Sequence, residues 1–348
     1  MARTRIISQN KAVYAGPVAG GGTQLHRVDT FSFEVDQAAG REDIREFGQL
    51  ARIGTENTSE ITPTISLGYF LGDGENEELL GLTNSSTAQF ISGILTEDPL
   101  LKERNIYVGT TEQGLDAVGG TITDSIGFGN AELTSYTAAF SVGEIPRVDV
   151  ELSCSNIVFQ DSNICPTPAV DENFDPTGAG YTLPTADTGT MEYAVLRPQD
   201  VKVSFLNDEI SAGDNIGVDL SDICIQSASI EVPLARETIE CLGKERGSKY
   251  LEFPINVTAS LSALVSDFKV GDLAAVLTGS AGDDRLDMQI NVENKAGNVA
   301  HTFLLKQAVL DSQSFSVNLD DNETVDLTFS AQIGGAETTT EGIFWNAV

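Results

Sequence analysis

Apolar and polar residues alternate along most of this chain. Phe31, Phe33 and Val35 are separated by polar neighbours, as are Ile61, Ile65, Leu67 and Tyr69. The same period of two runs through Val148, Val150 and Leu152, through Phe315, Val317 and Leu319, and through Val325, Leu327 and Phe329. Side chains on a strand point to opposite faces in turn, so this pattern predicts half-buried antiparallel strands. Asp320-Asp321-Asn322-Glu323 reads as the turn of a closing hairpin, with Gly143-Glu144-Ile145-Pro146 as its counterpart. Helical spacing is scarce. Ser85 to Leu95, with Phe90, Ile91, Ile94 and Leu95 on one side, predicts about three turns packed on a sheet, and Gly271 to Thr278 a shorter equivalent. The fold class expected is all-β, with one short helix in each of two domains.

The strand pattern occurs twice. Thr4 to Val35 runs without a gap against Val201 to Val232, and Ile126 to Ser153 against Phe303 to Ser330, at offsets of 197 and 177. Between them, Arg41-Glu42-Asp43-Ile44 through Phe47-Gly48 reads against Arg236-Glu237-Thr238-Ile239 through Leu242-Gly243. Roughly a fifth of paired positions are identical, and three collinear blocks sharing apolar positions mark a tandem duplication. The domains expected are residues 1–160 and 197–348. An offset of 192 at Glu60/Glu252 and 184 at Ile106/Ile290 gives the first copy eight extra residues. Residues 161–196 hold four prolines and no Lys or Arg, which reads as an extended, solvated linker. The stretches Arg41 to Gly54 and Arg236 to Gly247 read as long loops projecting from the sheet.

Charge narrows the function classes. The 348-residue chain carries a formal net charge of −32. The excess is −12 over residues 1–160 (10 basic, 22 acidic), −6 over 161–196 and −14 over the rest, so it belongs to both copies and is no acidic tail. Such a surface repels nucleic acid instead of holding it. The start has no apolar run after Arg3 and Arg5, and no stretch approaches 18 apolar residues, which suggests a product assembled in a cytoplasm.

Candidate chemistry is sparse. Cys154, Cys165, Cys224 and Cys241 lack metal-ligand spacing, and His26 and His301 are distant from one another. No phosphate loop, nucleophile elbow or zinc-protease motif is present, so the chain is not expected to be an enzyme or to carry a cofactor or metal. Gly72 to Glu78 has the oxygen density of a calcium loop without its spacing, and reads as a solvated loop tip. Gly127-Phe128-Gly129 reads as a strand bend. Ile343, Phe344 and Trp345 form an apolar cluster after a polar stretch, expected to be an arm docking on another domain or subunit.

Ser229-Ile230-Glu231-Val232-Pro233-Leu234-Ala235-Arg236-Glu237, then Glu240-Cys241-Leu242-Gly243, then Phe253-Pro254 leading into Ile255 to Val265, resembles the tail tube (major tail) proteins of tailed bacteriophages. The resemblance extends to Leu310–Gln332 and, through the duplication, to Arg41-Glu42 of the first copy, which lacks the Phe-Pro step. It implies two tube-type β-barrel or sandwich domains per chain, in homotrimeric pseudo-hexameric rings stacked into a hollow conduit for DNA. It implies contacts between stacked rings at Arg41, Glu42, Arg45, Arg236, Glu237 and Lys244. Glu34, Asp149, Glu151, Glu231 and Asp326, polar positions on alternating strands, are candidates for a lumen that keeps phosphates off the wall. The partners implied are further copies of the chain, a tape measure, tail tip or baseplate and terminator proteins and, in a contractile tail, a sheath. Viral DNA would pass without specific binding, no membrane would be entered, and the location would be the virion. The alternative is a soluble or secreted two-domain β-sandwich, an adhesin or another module that binds carbohydrate or protein.

Overall fold

The computed structural model describes residues 8–36, 41–58, 60, 62–72, 74–82, 89–95, 102–112, 115–188, 201–206, 225–264, 285–293, 299–316, 324–336 and 338–347. The chain is all-β. The first stretch holds β1 (Lys11–Pro17), β2 (Thr23–Leu25), β3 (Val28–Glu34), β4 (Arg41–Ile44), β5 (Gly54–Asn57) and β6 (Thr64–Phe70). Two short helices follow, α1 (Glu75–Leu79) and α2 (Ser92–Leu95). Then come β7 (Arg104–Thr111), β8 (Ile122–Ser141), β9 (Arg147–Ser153), β10 (Asn156–Gln160), β11 (Ile164–Cys165) and β12 (Tyr181–Thr182). The second stretch runs through β13 (Val201–Leu206), β14 (Ile225–Pro233), β15 (Arg236–Ile239), β16 (Ser248–Leu251) and β17 (Ile255–Leu264). It ends with β18 (Arg285–Glu293), β19 (Val299–Ser316), β20 (Thr324–Ile333) and β21 (Gly342–Ala347).

The strand register reproduces the 177 offset residue by residue. Leu133 pairs with Leu152 and Ser135 with Glu151 across a bulge; Leu310 pairs with Phe329 and Ser312 with Thr328 across the same bulge. The long strands β8 and β19 each turn at a non-glycine residue of positive φ, Asn130 (50°) and Gln307 (59°), again 177 apart. A left-handed residue inside a strand is costly unless its surroundings hold it. Asn130 is held by Glu103, whose carboxylate accepts from its amide at 2.6 Å, and by Val170, whose N–H donates to Oδ1 at 2.8 Å. The turn lets one strand serve two groups of partners. Before it β8 pairs with β7 and β10, and after it with β9 and β14.

Elsewhere the alignment shifts. Phe31 and Ala228 take equivalent places, keeping 197, but β1 and β13 do not: Ile106 faces Ala15, whereas Met288 faces Phe205, an offset of 190. Seven residues have been gained between β13 and β14, so the ungapped reading of the first block holds only from β3 onward. Equivalent pairings set Leu67 against Leu261 and Ile106 against Met288. The offset thus falls from 194 to 182, and the first stretch is longer there by twelve residues, not eight.

Three expectations about loops are corrected. Residues 161–188 do not form a solvated bridge: they fold back on β8, burying Cys165, Leu183 and Ala186 in a small second core with Tyr14 and Tyr107. Gly127 and Gly129 serve this packing instead of a bend, because a Cβ on Gly129 would lie 1.8 Å from the Pro168 carbonyl oxygen. Gly129→Ala is therefore expected to lift residues 165–170 off β8 and to make the buried Cys165 thiol react with a chromogenic disulfide at least about tenfold faster, a gain that the native chain does not show. The described part of Gly72 to Glu78, all but Asp73, is no solvated tip either. It leads into α1, where Glu77 is buried and accepts from the Tyr69 hydroxyl at 2.9 Å. Of the longer helix expected, α2 covers Ser92–Leu95 and residues 83–88 lie outside the described residues, as do Gly271 to Thr278 and the turn at Asp320 to Glu323.

One apolar cluster runs through both stretches, from Val13 and Leu67 to Phe329 and Trp345. The cluster Ile343 to Trp345, expected to dock on another domain or subunit, pairs within its own repeat and also meets the first stretch. It is β21, paired along β19 in the place β10 takes on β8. Trp345 stacks on Phe90 of the first stretch (centroids 5.0 Å, planes 4° apart), and the Phe90 N–H donates to the Ile343 carbonyl at 2.8 Å. Buried His301 lies against the same indole at 4.8 Å.

Candidate functional site

Eight strands form one continuous antiparallel run in the order β3-β6-β9-β8-β14-β17-β20-β19. Its middle seam joins the two repeats, with Ser227 facing Ser141 and Glu231 facing Thr137. One side of this run packs on the apolar cluster through residues such as Ile65, Val150, Tyr136, Ile230, Ala259 and Phe329. Among the described residues the other side is open.

All five carboxylates singled out above lie on that open side. Glu34 pairs with Thr64, Ser66 with Glu151, Gly68 with Asp149, Thr137 with Glu231, and Ser262 with Asp326. Their neighbours on this side are mostly Ser and Thr, including Ser135, Ser229, Thr258, Ser260, Thr328 and Ser330. Small hydroxyl side chains and spaced carboxylates make a smooth, hydrated, anionic wall. Arg147 is the one Lys or Arg of this face among the described residues. It lies over Gly68, where a Cβ would come within 2.3 Å of its guanidinium, and pairs with Asp29 (2.7 Å) and Asp149 (3.0 Å).

The two ends of the run are open edges. Among the described residues β3 pairs only with β6, and the Leu310–Ser316 part of β19 only with β20. Phe33, on the cluster side of β3, is 40% exposed, whereas Ile230, its equivalent at 197, is 0% exposed because β8 lies beside it. The two edges are the same two edges that meet at the β8–β14 seam.

The stretches expected to be loops are hairpins, β4–β5 and β15–β16. Each ends in an exposed apolar residue followed by a glycine of positive φ: Phe47-Gly48 and Leu242-Gly243. Arg41, Glu42 and Arg45 are exposed on the first hairpin, and Glu237 on the second. Arg236 corrects the expectation for it. It is buried within the chain, its guanidinium 3.4 Å from the Glu132 carboxylate and its Nε donating to the Leu133 carbonyl at 3.0 Å. Lys244, part exposed, pairs with Glu172.

The β15–β16 hairpin thus clasps the seam. Beside Arg236–Glu132, Arg246 meets Glu103 at 3.1 Å and Lys249 meets Glu60 at 3.9 Å. Burial pushes the Glu132 carboxyl up, against the pull of Arg236, and pushes the Arg236 guanidinium down. Cations on the hairpin stand over carboxylates of the first stretch: Glu132 on β8, Glu103 just before β7 and Glu60 between β5 and β6. Sequence reading missed this clasp, although four basic residues in 236–249 are a cluster in a chain so poor in them. Cys154 and Cys165 are both buried and free, and burial pushes the Cys154 thiol up to about 12. No protein-family model matches the chain, and no curated protein is similar to it.

Proposed function

We propose that the chain is a self-assembling structural subunit of a tailed-phage tail tube, in which the open acidic face lines a channel for DNA. The observation that carries this reading is the pair of complementary edges, together with the chain's own example of how they join. Adding 177 to β8 and subtracting 197 from β14 converts the internal seam into a seam between chains: Phe33 opposite Phe315, Glu34 opposite Ser314, Asp36 opposite Ser312. An exposed strand edge left open invites uncontrolled pairing, and closing into a ring removes it. Eight strands per chain and three chains per ring give a closed barrel with pseudo-sixfold symmetry; the number three rests on the resemblance.

The wall chemistry supports the same reading. Phosphates are repelled by carboxylates, and at cellular salt the repulsion reaches only about 8–10 Å, enough to hold a duplex off the wall without binding it. The apolar tips Phe47, Leu50 and Leu242, all fully exposed, are suited to burial against the next ring of a stack. Tape-measure, tip and terminator proteins would be the further partners and the virion the location.

The test is an inter-chain disulfide. In a Cys241→Ser background, Glu34→Cys with Ser314→Cys is expected to link chains into covalent rings visible end-on by negative-stain microscopy. Glu34→Cys with Thr328→Cys, one strand farther in, should not link. Particles that remain monomeric and unlinked at every concentration would sink the reading.

A further inference from the structure

The clasp over the internal seam has an empty counterpart. At the equivalent place in the second repeat a groove of about 600 Å³ lies open, lined by Arg285, Gln307, Val309, Asp311, Ser330 and Gln332. These stand where Glu103 (at 182) and Asn130, Glu132, Thr134, Ser153 and Ser155 (at 177) lie under or beside β15–β16. In the equivalent hairpin, β4–β5, the strand β4 and the turn 45–53 are exposed throughout.

We infer that the β4–β5 hairpin of one chain seats in this groove on a second copy of the chain, clasping the inter-chain seam with an exchanged set of charges. This rests on the ring reading above. Arg41 corresponds to Arg236 and reaches the Leu310 carbonyl, with Asp311 beside it in place of Thr134. Arg52 corresponds to Arg246, but its partner site has changed sign: Glu103 is replaced by Arg285, whose guanidinium donates to Gln307 at 3.0 Å. The missing carboxylate reappears on the hairpin. Asp43 pairs across to Thr55, as Thr238 does to Lys249, so it lies on the face that β15–β16 turns toward the seam. It already holds Arg52 at 3.0 Å and Arg45 at 3.7 Å. Seated in the groove, Asp43 bridges Arg52 and Arg285, doing from above what Glu103 does from below. Two anionic chains thereby meet through a local salt-bridged contact, with one carboxylate shared between guanidiniums of both chains.

Charge reversal tests it in the full chain. Asp43→Arg would bring guanidiniums together at the inter-chain contact, where like charges repel, and is expected to raise the concentration for half-assembly at least about tenfold. In the free chain Asp43 makes only exposed ion pairs, so folding should be unaffected. Adding Arg285→Asp should restore assembly to within about threefold of the native chain. Assembly of Asp43→Arg at the native concentration, or no rescue by Arg285→Asp, would overturn the inference. A second measurement does not depend on these variants: Arg41→Cys with Asp311→Cys in the Cys241→Ser background, treated with a short bismaleimide, should join neighbouring chains, and absence of the link in assembled rings would also overturn it. If the Glu34→Cys/Ser314→Cys link fails to form, the ring reading itself falls; if that link forms and Asp43→Arg has no effect, only the clasp falls.

Discussion

Phe33→Glu is expected to leave the chain folded and to abolish its assembly. Phe33 sits on the cluster side of the open edge, its ring edge-on to Phe128 at 5.2 Å, yet it remains 40% exposed. A glutamate there can reach water in the free chain, so folding loses only the partly buried ring, about 1–2 kcal/mol. In a ring joined like the β8–β14 seam the same position is covered as Ile230 is, at 0% exposure, and an unpaired carboxylate there costs several kcal/mol. Assembly should weaken at least about a hundredfold. Sedimentation velocity against circular dichroism separates the two effects: a native β spectrum with only monomer is the expected result. Rings at the native concentration would show that this edge is not where chains meet. Phe33→Leu, which keeps an apolar side chain, should assemble close to normally.

The second large effect lies inside the chain. Arg236→Ala is expected to destabilise it by about 3–5 kcal/mol at neutral pH, because Glu132 is left charged, buried and without its cation. The pH dependence has a definite sign. Burial already raises the Glu132 carboxyl above its unfolded value, and Arg236 opposes that rise, so removing Arg236 raises it further. A carboxyl whose pKa is raised by folding penalises the folded state fully above the folded pKa. The penalty is relieved as pH falls from the folded toward the unfolded value, where the folded chain takes up a proton. Urea melts should therefore show a smaller loss for Arg236→Ala at pH 5 than at pH 8. A loss that is equal or larger at pH 5 would mean that Glu132 is not the group left unpaired. Replacing both partners, Glu132→Leu with Arg236→Met, should be far milder than either single change.

Much of the sheet was legible because alternation is a local property. Val148, Val150 and Leu152 need only their own neighbours to declare a buried side, and the 177 offset carried over to register, bulge and left-handed residue alike. The acidic positions were legible for the same reason: once a strand has a buried face, Asp149 and Glu151 can only point the other way. What failed was decided by partners distant in sequence. Gly129 makes room for Pro168, Glu77 is buried by Tyr69 and Tyr136, and β21 is held by residues 301–306. Arg236 and Arg41 occupy equivalent places in sequence, yet one is buried and the other exposed, because only one of them has a strand of this chain beneath it.

By itself, then, the sequence determined a duplicated, acidic, all-β chain with a polar face opposite each apolar one. Periodicity and charge are written one residue at a time. Only the tertiary structure decided that the two repeats share a single sheet, that their carboxylates fall on one side of it, and that a matching edge, hairpin and groove are left over at its ends. Those follow from which strand lies beside which, and backbone hydrogen bonds between strands carry no label of their own; the choice is made by side-chain packing across more than a hundred residues of chain.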